Sequence, residues 1–412
     1  MKKFLAILLA CALLFALTAC GGSADSSAAS GDSAASGDTA ASGDTAASGD
    51  TAASGEIKIG VIAPLTGDVA VYGTAVNNAV ALYTEQFNAA GGVNGKQIKL
   101  IVYDDKGDPT EAMNAYNKLV NSDEVAAIIG PVTSSPTFGV AQASAADGIP
   151  CITGTATHPD VTTYGNNFFR ACFEDPFQGG TMARYAAKEL KATKAAIIYN
   201  NSDAYSTGLM NAFTETAKEN GIEIVATESY AKGDVDFKAQ LTNIASAKPD
   251  VLFIPDYYNN CYLICSQARQ LGITATFLGV DGTDGVLEIE GADTSVFDGM
   301  YFVNHYSAED DSPIVQDFIA AYKAKYNAEP NALAALGYDA SMLLFDALKR
   351  VDSDGVTITN SAESYAAIIS ALSASDLDCV TGHITFDENN NPIKDCSIIT
   401  IKDGAYHFVT KY

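Results

Sequence analysis

Ile57-Lys58-Ile59-Gly60-Val61-Ile62 alternates branched and polar positions and predicts a strand; the stretch 69–90, closed by Gly91-Gly92, predicts a helix after it. The pattern continues as strand 97–103, helix 110–121, short buried strand 126–129, helix 138–146 and strand 150–153. Strands separated by helices in this order imply a parallel sheet covered on both faces. After Phe168-Phe169-Arg170 the alternation restarts: helix 178–190, strand 195–199, helix 208–220, strand 223–227, helix 237–247, strand 251–254, helix 260–271 and strand 276–279. The fold class is therefore α/β, with two doubly wound parallel-sheet lobes in succession. A crossing near Ser307, a helix at 333–350 and a hairpin-like stretch at 383–408 are expected to be shared between the lobes.

Upstream of the first strand the pattern is of another kind. Lys2 and Lys3 precede an apolar run at 4–17, the charged start and short apolar core of a secretory signal, too short for a membrane span. The run ends in Leu17-Thr18-Ala19-Cys20-Gly21, which resembles the lipobox of bacterial lipoproteins, so 1–19 is read as the signal and Cys20 as the lipidated first residue. From there to residue 55 the chain is almost all Ala, Ser, Gly, Asp and Thr, with Ala-Ala-Ser-Gly-Asp-Thr repeated at 34–39, 40–45 and 46–51. Such a segment lacks the apolar surface to fold and reads as a spacer of roughly 30–35 Å r.m.s. reach.

A length of 412 residues fits a two-domain body, and 48% apolar content suffices for its core. The formal charge is -26; the first 55 residues hold two lysines against five aspartates, so the folded body carries -23. That excess argues against nucleic-acid binding and suits solubility outside the cell.

Catalytic and metal motifs are sparse. The chain has no Gly-x-Ser-x-Gly or His-Glu-x-x-His, and His158, His305, His383 and His407 are not at ligand spacing from one another. No enzyme activity, metal or cofactor is expected. Gly91-Gly92-Val93-Asn94-Gly95 follows a helix rather than a strand, so turn chemistry accounts for it better than a dinucleotide loop. Asp387-x-Asn389-x-Asn391 copies half of a calcium loop but is followed at once by Pro392, and reads as a polar turn. Of six body cysteines, Cys379 and Cys396 are the pair best placed for a bridge, and the rest read as buried free thiols.

The informative polar residues follow strand ends, where open parallel sheets bind ligands. Ser134 and Ser135 follow one strand of the first lobe, and Ala156 and Thr157 follow another; Tyr205, Tyr257 and Asp281 follow strands of the second. Helix capping explains the serines taken alone, and a solvated turn explains Asp281. Together, hydroxyls with free N–H groups on one lobe suit a carboxylate, and an aspartate beside tyrosines on the other suits an ammonium. Tyr72, after Pro64-Leu65-Thr66-Gly67, would close the side of such a site.

On Ile57-Lys58-Ile59-Gly60 with Pro64-Leu65-Thr66-Gly67, Asn88-Ala89-Ala90-Gly91-Gly92-Val93-Asn94-Gly95, Asp104-Asp105 with Asp108-Pro109, Gly130 with Ser134-Ser135, and Gln267-Ala268-Arg269, the chain from 56 to 412 resembles solute-binding proteins of the branched-chain amino acid type. These are type I periplasmic binding proteins serving ATP-binding-cassette importers. The resemblance implies two α/β lobes joined by a three-strand hinge, one of 56–175 with 307–382 and the other of 176–306 with 383–412. It implies that Ser134 and Thr157 bind an α-carboxylate, that Asp281 and the Ala156 carbonyl hold the α-ammonium, and that Tyr72, Tyr205 and Tyr257 wall the pocket. It further implies a lipid-anchored monomer on the extracytoplasmic face that hands an amino acid to permease subunits. The family often has Glu where Asp281 stands and Asn where His158 stands, and a first-lobe disulfide where this chain has Gly107 and Thr133. The alternatives are a receptor for an amide, urea or other small solute, or the ligand-sensing subunit of a signalling complex.

Overall fold

The first half of the body alternates strands with helices, and the computed structural model, which describes residues 55–412, follows that order. The signal, Cys20 and the spacer up to 54 lie outside the described residues. β1 (Glu56–Ala63), α1 (Ala70–Ala89), β2 (Gln97–Asp104), α2 (Pro109–Lys118), β3 (Ala127–Ile129), α3 (Ser134–Asp147), β4 (Cys151–Thr153) and β5 (Phe168–Arg170) build a five-stranded parallel sheet in the order β2-β1-β3-β4-β5. β1 is an interior strand covered on both faces, which is why Ile59, Val61 and Ile62 are all buried although they point to opposite faces.

α4 (Asp175–Lys188), β6 (Lys194–Asn200), α5 (Ala204–Glu219), β7 (Glu223–Tyr230), α6 (Lys238–Ala247), β8 (Val251–Phe253), α7 (Tyr258–Gln270), β9 (Thr276–Gly279) and β10 (Tyr301–Asn304) form the second unit. The chain then adds α8 (Pro313–Tyr326), α9 (Ala332–Ser353) and α10 (Ala362–Ser373), with α8 and α9 against α1, and the ribbon β11 (Asp376–Cys379) and β12 (Gly382–Thr385). It returns to the second sheet as β13 (Ser397–Lys402) and β14 (Ala405–Lys411), giving the order β14-β13-β10-β9-β8-β6-β7, with the last two strands antiparallel. Among the described residues no helix is long and apolar enough to cross a membrane.

Some expectations are corrected and others hold. The stretch 383–408 is not one hairpin: β12 pairs back with β11, and β13 turns into β14 over Asp403-Gly404, both at positive φ, the two-residue turn that matches strand twist. Helices α3, α5 and α7 begin before 138, 208 and 260; α5 does so because Asp203 caps it, its carboxylate accepting from Tyr205 N at 3.1 Å. Cys379 and Cys396 are free and buried in separate hydrophobic clusters, and the other four body cysteines are free and buried as well. The Gly91–Gly95 segment is a turn, with Gly91, Gly92, Asn94 and Gly95 all at positive φ. Asp387 spends its carboxylate on the amides of Asn389 and Asn391 at 2.8 and 2.9 Å.

The chain passes between the sheets after β5, after β10 and after β12, and these three crossings touch. Phe173 stacks on the His305 ring with centroids 3.6 Å apart, and Lys394 donates to the Ala171 carbonyl at 3.1 Å.

α1 also approaches the loop after β1 at Gly73, where an added Cβ would lie 2.0 Å from the Pro64 carbonyl oxygen. Gly73→Ala should therefore destabilise the body by about 1–3 kcal/mol, seen as a lower urea midpoint at unchanged m-value.

Candidate functional site

The carboxyl ends of β3 and β4 face those of β6, β8 and β9, and a narrow cleft lies between them. Tyr72 of α1, Thr133, Ser134 and Thr157 line it from the first sheet; Tyr205, Tyr257, Asp281 and Gly282 line it from the second.

Threonines fix the first-sheet loops to each other. Thr153 Oγ1 donates to the Pro131 carbonyl at 2.6 Å and accepts from Thr155 N and Ala156 N, while Thr155 Oγ1 donates to the Val132 carbonyl at 2.5 Å. α3 starts inside this knot. Its N-cap residue Thr133 makes no side-chain cap, so the first-turn amides beside Ser134 have no capping acceptor. Ser134 Oγ accepts from His158 N at 3.3 Å, which leaves its proton to donate.

On the other side Asp281 is 7% exposed. Tyr205 Oη donates to its Oδ1 at 2.5 Å, Gly282 N donates to the same oxygen at 2.8 Å, and Oδ2 lies 3.2 Å from His305 Nε2. Burial pushes the pKa of His305 down to about 4, so the imidazole is neutral and its Nε2–H donates. No lysine or arginine among the described residues forms an ion pair with Asp281. Asp175, fully buried beside the Thr157 hydroxyl, has its pKa pushed up by burial, and its Oδ2 has no partner. Burial also raises the phenol pKa values of Tyr72, Tyr205 and Tyr257, which stay protonated donors.

Contacts across the cleft hold the two sides together. Tyr72 Oη donates to the Gly282 carbonyl at 2.5 Å and accepts from Tyr258 N at 3.0 Å; Tyr258 Oη donates to the Asp68 carbonyl at 3.0 Å. Tyr205 and Tyr257 stack with centroids 4.8 Å apart, and Tyr72 meets Tyr257 edge-on at 5.8 Å.

Tyr72, Ser134, Thr157, Tyr205, Tyr257 and Asp281 thus come together around one cleft; Ser135 and Ala156 do not line it. Ser135 Oγ donates instead to Asp203 across the lobes at 3.2 Å. The Ala156 carbonyl is turned toward the buried Arg170, accepting from Nη1 at 3.2 Å. His158 caps the short turn at Pro159–Thr162, with Nδ1 accepting from Asp160 N at 3.2 Å. Residues that sequence reasoning missed are Val132, Thr133 and Thr155, next to those chosen, Leu333 from α9, and His305, just past the end of β10. Among the described residues no three metal-ligating side chains gather.

Tyr72→Phe removes the hydroxyl that links the two sides and should weaken ligand binding by about 0.5–1.5 kcal/mol in calorimetry, with little loss of stability when ligand is absent. His305 sets an acid limit on stability. The unfolded chain protonates it near pH 6.5 and the folded chain only near pH 4, so its contribution is complete above pH 6.5 and lost as pH falls toward 4. The loss should be on the order of 3 kcal/mol by urea unfolding, and absent from that window in His305→Gln.

The family model described as "Periplasmic binding protein" matches residues 56–405. The chain is 33% identical over 340 residues to the Leu/Ile/Val-binding protein BraC3 of Rhizobium johnstonii, covering 82% of this chain and 89% of that one. The crystal structure of the leucine binding protein LivK of Thermotoga maritima is similar at a TM-score of 0.79 and 34% identity, covering 86% of this chain and 98% of that one. So is the branched-chain amino acid transporter substrate-binding protein LivJ of Streptococcus pneumoniae, in complex with isoleucine, at 0.79 and 33%, covering 86% and 99%. With two opposed, largely parallel sheets, three crossings and a cleft at the facing strand ends, the chain belongs to the periplasmic binding protein family.

Proposed function

We propose that the chain captures an L-amino acid with an aliphatic side chain, of the branched-chain class, and delivers it to an ABC importer. The observation that carries this reading is Asp281, a buried carboxylate with donors around it and no lysine or arginine paired to it among the described residues. A ligand ammonium supplies the missing positive charge. Opposite Asp281, the Ser134 and Thr157 hydroxyls and the uncapped start of α3 suit the α-carboxylate. Tyr72, Val132, Tyr257 and Leu333 offer apolar surface to the side chain, and Tyr205 orients Asp281. The names of the relatives, binders of leucine, isoleucine and valine, support the same class.

The proposed motion is hinge closure between 56–175 with 307–382 and 176–306 with 383–412. A ligand touching both lobes favours the closed form by its difference in affinity for the two states, and the permease reads that form. The protein works as a monomer held on the extracytoplasmic face by a lipid on Cys20, with the spacer giving it reach. Against an amide or urea receptor stands Asp281 itself, since a neutral solute leaves that buried charge unpaired.

A thermal-shift screen of the twenty amino acids on residues 56–412 should single out aliphatic ones, because a ligand that binds only the folded form raises its midpoint. Calorimetry on Ser134→Ala and Asp281→Asn should then show losses of about 1.5–3 kcal/mol each. Unchanged affinity in both variants, or no shift with any amino acid, contradicts the proposal.

A further inference from the structure

Asp281 is held by more than the cleft. Its Oδ2 faces Nε2 of His305 at 3.2 Å, and His305 is not on a strand end that binds ligand but on the crossing after β10, where the chain passes from the second sheet toward α8. The ring is fully buried and lies flat on Phe173 of the crossing after β5, centroids 3.6 Å apart and planes 23° apart. Its Nδ1 has no partner, so the Nε2 bond to Asp281 is its only side-chain hydrogen bond among the described residues. A carboxylate accepts only, so Nε2 carries the proton.

From this geometry we infer that His305 is a positioning residue that ties the amine anchor to the hinge; the inference rests on the amino-acid reading above. Being neutral, the imidazole orients the carboxylate without cancelling its charge, which an imidazolium or a lysine at the same place would do. Because both rings of the stack belong to crossings, a change in the hinge moves the donor relative to Asp281. Asp281 is therefore set for an ammonium only at the hinge angle where Nε2 reaches it, and ammonium binding favours that angle in return. The residue acts through Asp281, and no contact of its own with ligand is required.

The test is calorimetry with the amino acid that shifts the wild type most, on His305→Phe and His305→Gln. Phenylalanine keeps the stack and loses the donor; glutamine keeps a donor at similar reach. The expected result is an affinity at least tenfold weaker for His305→Phe and within about threefold of wild type for His305→Gln, a rescue that a purely packing role does not produce. Far-UV spectra and unfolding midpoints check that both fold. If the phenylalanine variant does not fold, His305→Asn, whose amide stops short of Asp281, replaces it and should show the same loss. Equal affinities in the wild type and the variants, or equal losses in the phenylalanine and glutamine variants, overturn this inference alone. A wild type that binds no amino acid overturns it together with the functional reading.

Discussion

The arrangement depends on one uncompensated charge. Asp281 lies 7% exposed, its oxygens taken by Tyr205, Gly282 and His305, none of which brings a positive charge in the neutral range. Taking a carboxylate out of water without a counterion costs several kcal/mol after relaxation, and hydrogen bonds recover only part of it. On the proposed function, closing the lobes is thus unfavourable at this point until a cation arrives, and an ammonium is a cation that fits beside two tyrosine rings. In the proposed function the same carboxylate serves as recognition element and as a brake on empty closure.

The rest of the molecule can be read as support for that site. Thr153 and Thr155 knot two first-sheet loops so that Ser134 and Thr157 face the cleft from a fixed distance. The buried Arg170 guanidinium collects the carbonyls of Ala156, His158 and Pro159, and so sets the path of the loop that bears Thr157. Tyr72 carries the connection across, as both donor and acceptor to the second lobe. In the proposed closed form, affinity is divided between ligand contacts and these direct lobe-to-lobe bonds.

The alternating strand and helix order was legible because each βα unit is local, and the site residues at strand ends were legible because they follow those strands directly. What was missed depended on contacts distant in sequence or on turns. β10 was not recognised, and with it went the place of His305 on the crossing just past its end. The Asp403-Gly404 turn was passed over, which merged three strands into one hairpin. Ala156 was assigned to the ammonium, but its carbonyl direction is set by Arg170, fourteen residues on and across the sheet. Cys379 and Cys396 flank one stretch of sequence and yet sit in separate cores, because β12 and β13 belong to different sheets.

The central claim is that the amine, rather than the carboxylate or the side chain alone, is what Asp281 requires. Calorimetry of the wild type with L-leucine and with 4-methylpentanoate, which keeps the carboxylate and the branched chain and lacks the amine, isolates that group. The account predicts binding of leucine and a loss of at least tenfold, and up to about 150-fold, for the des-amino acid. Equal affinity for the two contradicts it.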